Sequence, residues 1–362
     1  MSLNHRFECL ICNDQVNPTV TQLNCRKCGG LFKVIYEDLN MSSFPFPEAP
    51  NISLGEGRTP LIAFDRTADL LGLENLWVKM EMMAPTGSFK DRGSAVLISM
   101  AKNEGITEFA EDSSGNAGAS MSAYGAAAGM KAHIFVPSSA AQGKIEQIKI
   151  FGAKLHTIPG PRQSSTDAAL DFITEKSVPY LSHNLSPYFS EGMKSFSIEL
   201  VENLHANVDH IVMPVGNGSL FIGAWDGYIE MIGQERVDKA PKFHAIQSQA
   251  VHPIVSAINE EVWDYSCVRP TIASGIAVSA PPRLKQCISV ISSSGGSALG
   301  IDDDSALLWQ RRIAETEGVF CEVTSAIAFA GLEKLLAESK INKGTTVVIP
   351  ITGTGLKEPL IS

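Results

Sequence analysis

The sequence predicts an α/β protein: two domains built on mainly parallel sheets, preceded by a small cysteine ribbon. Three observations predict it. From residue 76 onward, short apolar runs alternate with helix-patterned segments, the signature of sheets with helices on both faces. After one group of such units the pattern restarts at "HIVMPVGNGSLFIGAWDGYIEMIG", so a smaller α/β domain lies inserted in a larger one. Finally, four of the seven cysteines crowd the front of the chain.

In order, the ribbon comes first. "CLIC" and "CRKCGG" place Cys9, Cys12, Cys25 and Cys28 in two C-x2-C pairs with twelve residues between them. Two-residue spacing lets both thiolates of a pair meet one ion, and two such knuckles complete a tetrahedral zinc site. Gly29 and Gly30 follow where the backbone must turn, and "LFKVIYE" reads as a strand. Residues 40–61 hold four prolines and read as linker and entry loop.

Next comes the strand "NLWVKMEM". The helix "SFKDRGSAVLISMAKNEG" follows, with Ser88 and Asp91 placed as a capping box and Gly105 as its stop. "EFAED", a glycine turn and the helix "AGASMSAYGAAAG" lead to the strand "KAHIFVP". Helix "GKIEQIKIFG", strand "KLHTIPG", helix "STDAALDFITEKS" and strand "PYLSH" complete the inserted group. Past the restart come strands "KFHAIQSQ" and "TTVVIPITGTG"; "SSSGGSALG" reads as a surface turn and Asp302-Asp303-Asp304 as a solvated helix cap. The expected division is 1–38 ribbon, 39–93 with 196–362 large domain, and 94–195 inserted domain.

With 362 residues the chain can bury sizeable cores, and 44% apolar with 19% charged residues is a globular balance. A formal charge of −10 argues against nucleic acid or an anionic membrane as partner. No apolar run is long enough to span a bilayer and no signal-peptide core is visible, so a cytoplasmic location is expected. The odd cysteine count fits a reducing compartment, with Cys267, Cys287 and Cys321 expected to pack as small hydrophobes. His133, His156, His183, His210 and His244 are expected to be packed or solvated, and Met80, Met82 and Met83 to line core or cleft.

Candidate chemistry gathers at turns. Lys90 in "PTGSFKDRG" stands at the expected first turn of a helix, where the partial positive charge of the N-terminus eases loss of its proton. "DSSGNAGAS" sets Asn116 between two glycines at a helix start, either a plain cap or an anion and amide site. "PVGNGSL" is a strand-to-helix turn suited to a phosphate, without the third glycine of a dinucleotide fingerprint. "PITGTGLKEP" offers Thr352 and Thr354 at a strand end, or is a bare loop. A monophosphate cradle, an amide, a hydroxyl and one perturbed lysine together match the needs of pyridoxal phosphate.

The motifs "GEGRTPL", "PTGSFKDRG", "SSGNAGAS", "PVGNGSL", "EGVFCEVTSA" and "TGTGLKEP" resemble, in order, those of threonine synthases within the tryptophan-synthase β type (fold type II) of pyridoxal-phosphate enzymes. The resemblance spans residues 55–359 and implies two α/β domains of that type, with a zinc ribbon as in many members. It implies Lys90 as the lysine condensing with the cofactor aldehyde, Asn116 at its ring oxygen, and Gly216, Asn217, Gly218, Ser219 and Leu220 around its phosphate. Thr352 would meet the pyridine nitrogen. The implied activity is conversion of O-phosphohomoserine and water to threonine and phosphate, by a homodimer. Ser88, Arg92, Ser113 and Lys144 are candidates for the substrate. Two departures bear on that substrate: Ala117 stands where many members have threonine, and Ser219 and Leu220 replace the usual end of the cradle. They keep open a threonine or serine deaminase, a phosphoserine-dependent synthase, or a non-catalytic cofactor-binding homologue.

Overall fold

The computed structural model describes residues 5–36, 51–113, 115–160, 162–204 and 207–358. Its elements begin with β1 (His5–Cys9), β2 (Gln15–Val16) and β3 (Phe32–Tyr36), then β4 (Leu61–Ala63), α1 (Asp65–Leu71) and β5 (Asn75–Lys79). The middle holds α2 (Lys90–Asn103), β6 (Glu108–Glu111), α3 (Asn116–Ala127), β7 (Lys131–Pro137), α4 (Gln142–Ile150) and β8 (Lys154–Ile158). Helices α5 (Arg162–Lys176), α6 (Pro187–Met193) and α7 (Ser195–Asn203) follow. Then come β9 (His210–Pro214), α8 (Ser219–Gly233), β10 (Lys242–Ser248), α9 (Pro253–Ile258) and α10 (Leu284–Ser294). The chain closes with β11 (Ser297–Ile301), α11 (Asp303–Glu317), α12 (Val323–Ala337) and β12 (Thr346–Pro350). Among the described residues no helix is long and apolar enough to cross a membrane.

Two compact units divide the chain. The first takes Met1–Gly57, Ser88–Ser195 and Glu358–Ser362; the second takes Arg58–Gly87 and Phe196–Lys357. Both the cysteine ribbon and the stretch 94–195 therefore fall in the first unit, as does Lys90.

In the first unit β6, β7 and β8 form a three-stranded parallel sheet in that order, as the inserted strand-helix units predict. "PYLSH" contributes only a single parallel bridge, Ala110 to Tyr180, rather than a strand. The ribbon is an antiparallel sheet of order β2-β1-β3, with Phe7 and Phe32 buried on one face. Helix α2 crosses α6 at a close approach that only glycine permits. A Cβ on Gly192 would stand 2.0 Å from the Arg92 carbonyl oxygen, and one on Gly93 would meet the Phe189 ring at 2.7 Å. The glycine that ends "FKDRG" is thus explained by backbone packing.

The second unit carries a six-stranded sheet of order β11-β10-β9-β12-β5-β4, parallel except for β4. Its strands are apolar on both faces, as parallel strands covered by helices must be; β9 and β12 bury Ile211, Val212, Val347 and Ile349 completely. Helix α12 lies among this core with Ile327, Phe329 and Leu332 at zero exposure.

Four expectations are corrected. "SSSGGSALG" is not a surface turn: its second half is β11, an edge strand of the large sheet. Small residues there reflect close packing, since a Cβ on Gly296 would sit 1.8 Å from the Phe243 carbonyl oxygen. The Ser88–Asp91 capping box does not form, because the cap position is Phe89 and Asp91 instead accepts from the Ser120 hydroxyl at 2.6 Å. Cys267 is exposed, whereas Cys287 and Cys321 are buried as expected. Met83 is exposed while Met80 is buried.

The histidines at strand starts pack, as expected. His210 Nδ1 pairs with His244 Nε2 at 2.9 Å, and His244 Nδ1 with Ser297 Oγ at 2.8 Å, lacing β9, β10 and β11 together. Burial, then the neighbouring His210, drives His244 down to about 3, so it is a neutral strut. In the first unit Glu108, His133 and His156 form the equivalent chain across β6, β7 and β8, at 2.7 and 3.0 Å. Asp302 caps α11 by accepting from the Ser305 backbone N–H at 2.8 Å.

Candidate functional site

Lys90 is the first residue of α2, half-buried, and no side chain caps that helix. Its Nζ lies 4.4 Å from the Phe89 ring centroid and 5.7 Å from that of Phe189. The helix terminus disfavours an ammonium and the aromatic faces favour one, each by about 0.5–1 kcal/mol, so they nearly offset. Glu111, the last residue of β6, and His183 are buried and hydrogen-bonded to each other, and both feel the Lys90 charge.

Of the other first-unit candidates, Ser88 is fully buried, and its Oγ has no hydrogen-bond partner among the described residues. An orphaned hydroxyl two residues before Lys90 is a group awaiting a ligand atom. Asn116 opens α3, with Gly115 at the cap. The turn before it is held tightly: a Cβ on Gly118 would sit 1.9 Å from the Ser113 carbonyl oxygen, so glycine is required there. Ser113 is buried, and its Oγ accepts from the Gly115 N–H at 3.4 Å. Arg92 is buried and donates to Ser195 Oγ at 2.8 Å. Lys144, also buried, pairs with Glu358 at 2.9 Å. To meet a substrate anion, Arg92 would have to leave the serine, and Lys144 the carboxylate.

In the second unit β9 ends at Pro214 and α8 begins at Ser219, with Gly216, Asn217 and Gly218 turning between them. Gly218 is the cap, in the left-handed region at φ 86°, and no side chain caps the helix. The first N–H groups of α8 thus have no intrahelical partner and point out of the turn, an arrangement suited to an anion. A Cβ on Gly218 would lie 2.3 Å from Cys287 Sγ, and one on Gly216 3.1 Å from the Ile276 Cα. The turn is pressed from below and has no room for larger residues. Burial pushes the Cys287 thiol up to about 12, so it is an inert floor. Ser219 and Leu220 are buried in the first turn of α8.

Thr352 follows β12 and is buried, its Oγ1 2.9 Å from Ser325 Oγ. Ser325 also accepts from the Gly353 N–H at 3.1 Å, which fixes the serine and leaves the threonine hydroxyl with hydrogen-bonding capacity to spare. Sequence reasoning assigned no role to Ser325, Cys287, Glu111 or His183. "EVTSA" and the acidic pair ending "FAED" were the only signals for the first and third.

The four front cysteines meet. Their sulfur atoms all lie within 4.8 Å of one another, with Cys9–Cys28 at 3.4 Å and Cys12–Cys25 at 3.7 Å. Four sulfurs about 2.3 Å from a shared zinc would be ~3.8 Å apart, so the donor set fits that ion. The Ile11 N–H also points at Cys9 Sγ, at 3.5 Å, as a donor to a thiolate would.

Comparison with known proteins gives the same direction. The family model described as pyridoxal-phosphate dependent enzyme matches residues 52–353. The threonine synthase of Methanocaldococcus jannaschii is 33% identical, over 92% of this chain and 88% of its own. That of Methanosarcina acetivorans is 32% identical, over 98% and 93%. Among solved structures, a threonine deaminase from Solanum lycopersicum superposes with a TM-score of 0.71 at 20% identity, covering 82% of this chain and 83% of its own. Maize serine racemase also gives 0.71, at 21% identity, covering 82% and 88%. These two likenesses establish the fold. The chain belongs to the pyridoxal-phosphate dependent enzymes, as a lyase of the threonine synthase-like kind.

Proposed function

We propose that the protein is a threonine synthase, taking O-phosphohomoserine and water to threonine and inorganic phosphate. The uncapped glycine turn at the start of α8, whose first N–H groups have no intrahelical partner, is the observation that carries the cofactor assignment. Gly216, Asn217, Gly218, Ser219 and Leu220 hold the cofactor phosphate, Asn116 the ring oxygen, and Thr352, steadied by Ser325, the ring nitrogen. When bound, pyridoxal phosphate supplies an aldehyde for the substrate amine and an electron sink for charge at Cα. A threonine hydroxyl does not hold the ring nitrogen protonated as an aspartate would. That weaker sink favours elimination and replacement over transamination.

Lys90 is the residue that moves protons. Its amine removes a proton from Cα and then one from Cβ, whose loss expels phosphate from Cγ; protons return to Cγ and Cα, and water adds at Cβ. The Ser88 hydroxyl, without a partner among the described residues, is available to a ligand atom in this reading. The substrate itself rests on the two relatives named threonine synthase, which match nearly the whole chain. Purified protein given O-phosphohomoserine is expected to release phosphate and threonine in equal amounts. Turnover of another amino acid with none of this one would remove the substrate assignment and leave the cofactor chemistry standing.

A second reading is deamination of threonine or serine, or replacement at a phosphoserine, and Ala117 favours it by removing a hydroxyl next to Asn116. Ketoacid and ammonia without phosphate would select the deaminase.

The four cysteines hold a structural zinc. Metal analysis is expected to give about one zinc per chain, and a strong chelator to release it with a drop in melting temperature. Protein that lacks zinc and melts identically with chelator would show the ribbon to be metal-free.

A further inference from the structure

Gln247, one residue before the end of β10, is fully buried, and nothing in the chemistry described above uses it. Its Oε1 accepts two backbone N–H groups at the start of α9, from Ile254 at 2.8 Å and from Val255 at 3.2 Å. Two N–H donors can meet only an oxygen, so the orientation of the side-chain amide is fixed. Its Nε2 donates to the Val215 carbonyl at 3.2 Å. Among the described residues no other hydrogen bond reaches that carbonyl. Val215 stands between β9 and the glycine turn, and its own N–H is held by the Ile246 carbonyl at 2.9 Å.

The peptide joining Val215 to Gly216 is planar and trans, so its C=O and N–H point in opposite directions from one rigid unit. Holding the carbonyl on one side therefore sets where the Gly216 N–H points on the other. Gly216 is buried, and among the described residues no hydrogen bond takes that N–H. A buried backbone donor left open is rare in folded chains and marks a place where a ligand atom completes the bond. The glycine is also backed closely by another segment. A Cβ on it would stand 3.1 Å from the Ile276 Cα and 3.2 Å from the Gly275 carbonyl oxygen. Gly275 is itself pinned, its N–H donating to Thr324 Oγ1 at 3.0 Å.

We propose that Gln247 is a positioning residue for the cofactor: by holding the Val215 carbonyl, it aims the Gly216 N–H at the phosphate of pyridoxal phosphate. The inference rests on the reading of residues 216–220 as the phosphate cradle. Two anchors on α9 make the aim stiff, because the amide cannot follow the carbonyl if the peptide rotates. A carbonyl that accepts a hydrogen bond also polarises its own peptide, which makes the N–H across it a better donor. One side chain thus sets both the direction and the strength of a hydrogen bond to an anion it never touches.

The test compares pyridoxal phosphate with pyridoxal, which has the same ring and aldehyde and no phosphate, by equilibrium dialysis of the full-length chain. Gln247→Met removes donor and acceptor at unchanged length and without charge. It is expected to lower affinity for pyridoxal phosphate by ~10-fold, the scale of one hydrogen bond to a charged group, and to leave pyridoxal within ~2-fold. Gln247→Glu separates the two functions, keeping the oxygen that α9 requires and losing the donor. Read at about pH 10, where even a buried glutamate has lost its proton, it is expected to show the same selective loss against the native chain. Equal losses for both compounds, or none, in Gln247→Met overturn the proposal. Native affinity in Gln247→Glu also overturns it, by showing that the anchor on α9 and not the donor matters. If one variant does not fold, the other decides on the same comparison. The cradle is judged separately on the native chain: should it bind pyridoxal as tightly as pyridoxal phosphate, the phosphate reading fails whatever Gln247 does.

Discussion

Lys90→Ala is expected to lower turnover of O-phosphohomoserine by ~10³-fold or more, the scale of losing a positioned general base. It should leave the fold intact. Lys90 is half-buried at the first position of α2, so truncation removes some stem packing and leaves the helix's backbone ladder in place. Lys90→Arg separates charge from reactivity: the guanidinium keeps the cation and the reach but does not release its proton. Both variants should be equally inactive in a phosphate-release assay while melting within a few degrees of the native protein. An arginine variant with a tenth of native activity would show that Lys90 serves as a charge and not as a base.

The second large effect is expected at Gly218. Alanine there suffers twice: its backbone must stay left-handed at φ 86°, and its Cβ meets Cys287 Sγ at 2.3 Å. The left-handed conformation alone costs about 1–2 kcal/mol. The turn relieves both by shifting, which misdirects the N–H groups at the head of α8. Losing one or two hydrogen bonds to a charged phosphate, at about 1.5–3 kcal/mol each, weakens cofactor binding by ~10–100-fold or more. The double variant Gly218→Ala with Cys287→Ala removes the collision and keeps the strain, so affinity should recover in part. Equilibrium titration with pyridoxal phosphate measures both, and unaltered affinity in the single variant would falsify the cradle assignment.

Much of this was legible because the chemistry demands unusual residues at fixed places. Glycine turns opening helices, and four cysteines at knuckle spacing, are local patterns, and the structure places each where the pattern says. The strands "KAHIFVP" and "HIVMP" were equally clear, being β-branched or aromatic runs bounded by turns. β11 was not: Ser297, Ala298 and Gly300 have weak strand propensity, and what makes them a strand is parallel pairing with β10, about 50 residues earlier. The failed capping box at Ser88 has a different cause. Its spacing fits, but the Ser120 hydroxyl claims Asp91 from another helix, a competition that no window of sequence contains. The Glu111–His183 pair was hidden for the same reason, since its partners lie 72 residues apart.

The order of strands in the large sheet also dictates an order of birth. β5 (Asn75–Lys79) is flanked on its parallel side by β12 (Thr346–Pro350), which emerges from the ribosome roughly 270 residues later. At about 5–20 residues per second, the nascent β5 keeps one edge uncovered for tens of seconds, with only β4 beside it. The three strands of the small sheet, by contrast, are all synthesised between residues 108 and 158 and can zip together at once. A growing chain of this protein therefore completes its smaller sheet early and carries a half-built larger one until β12 arrives.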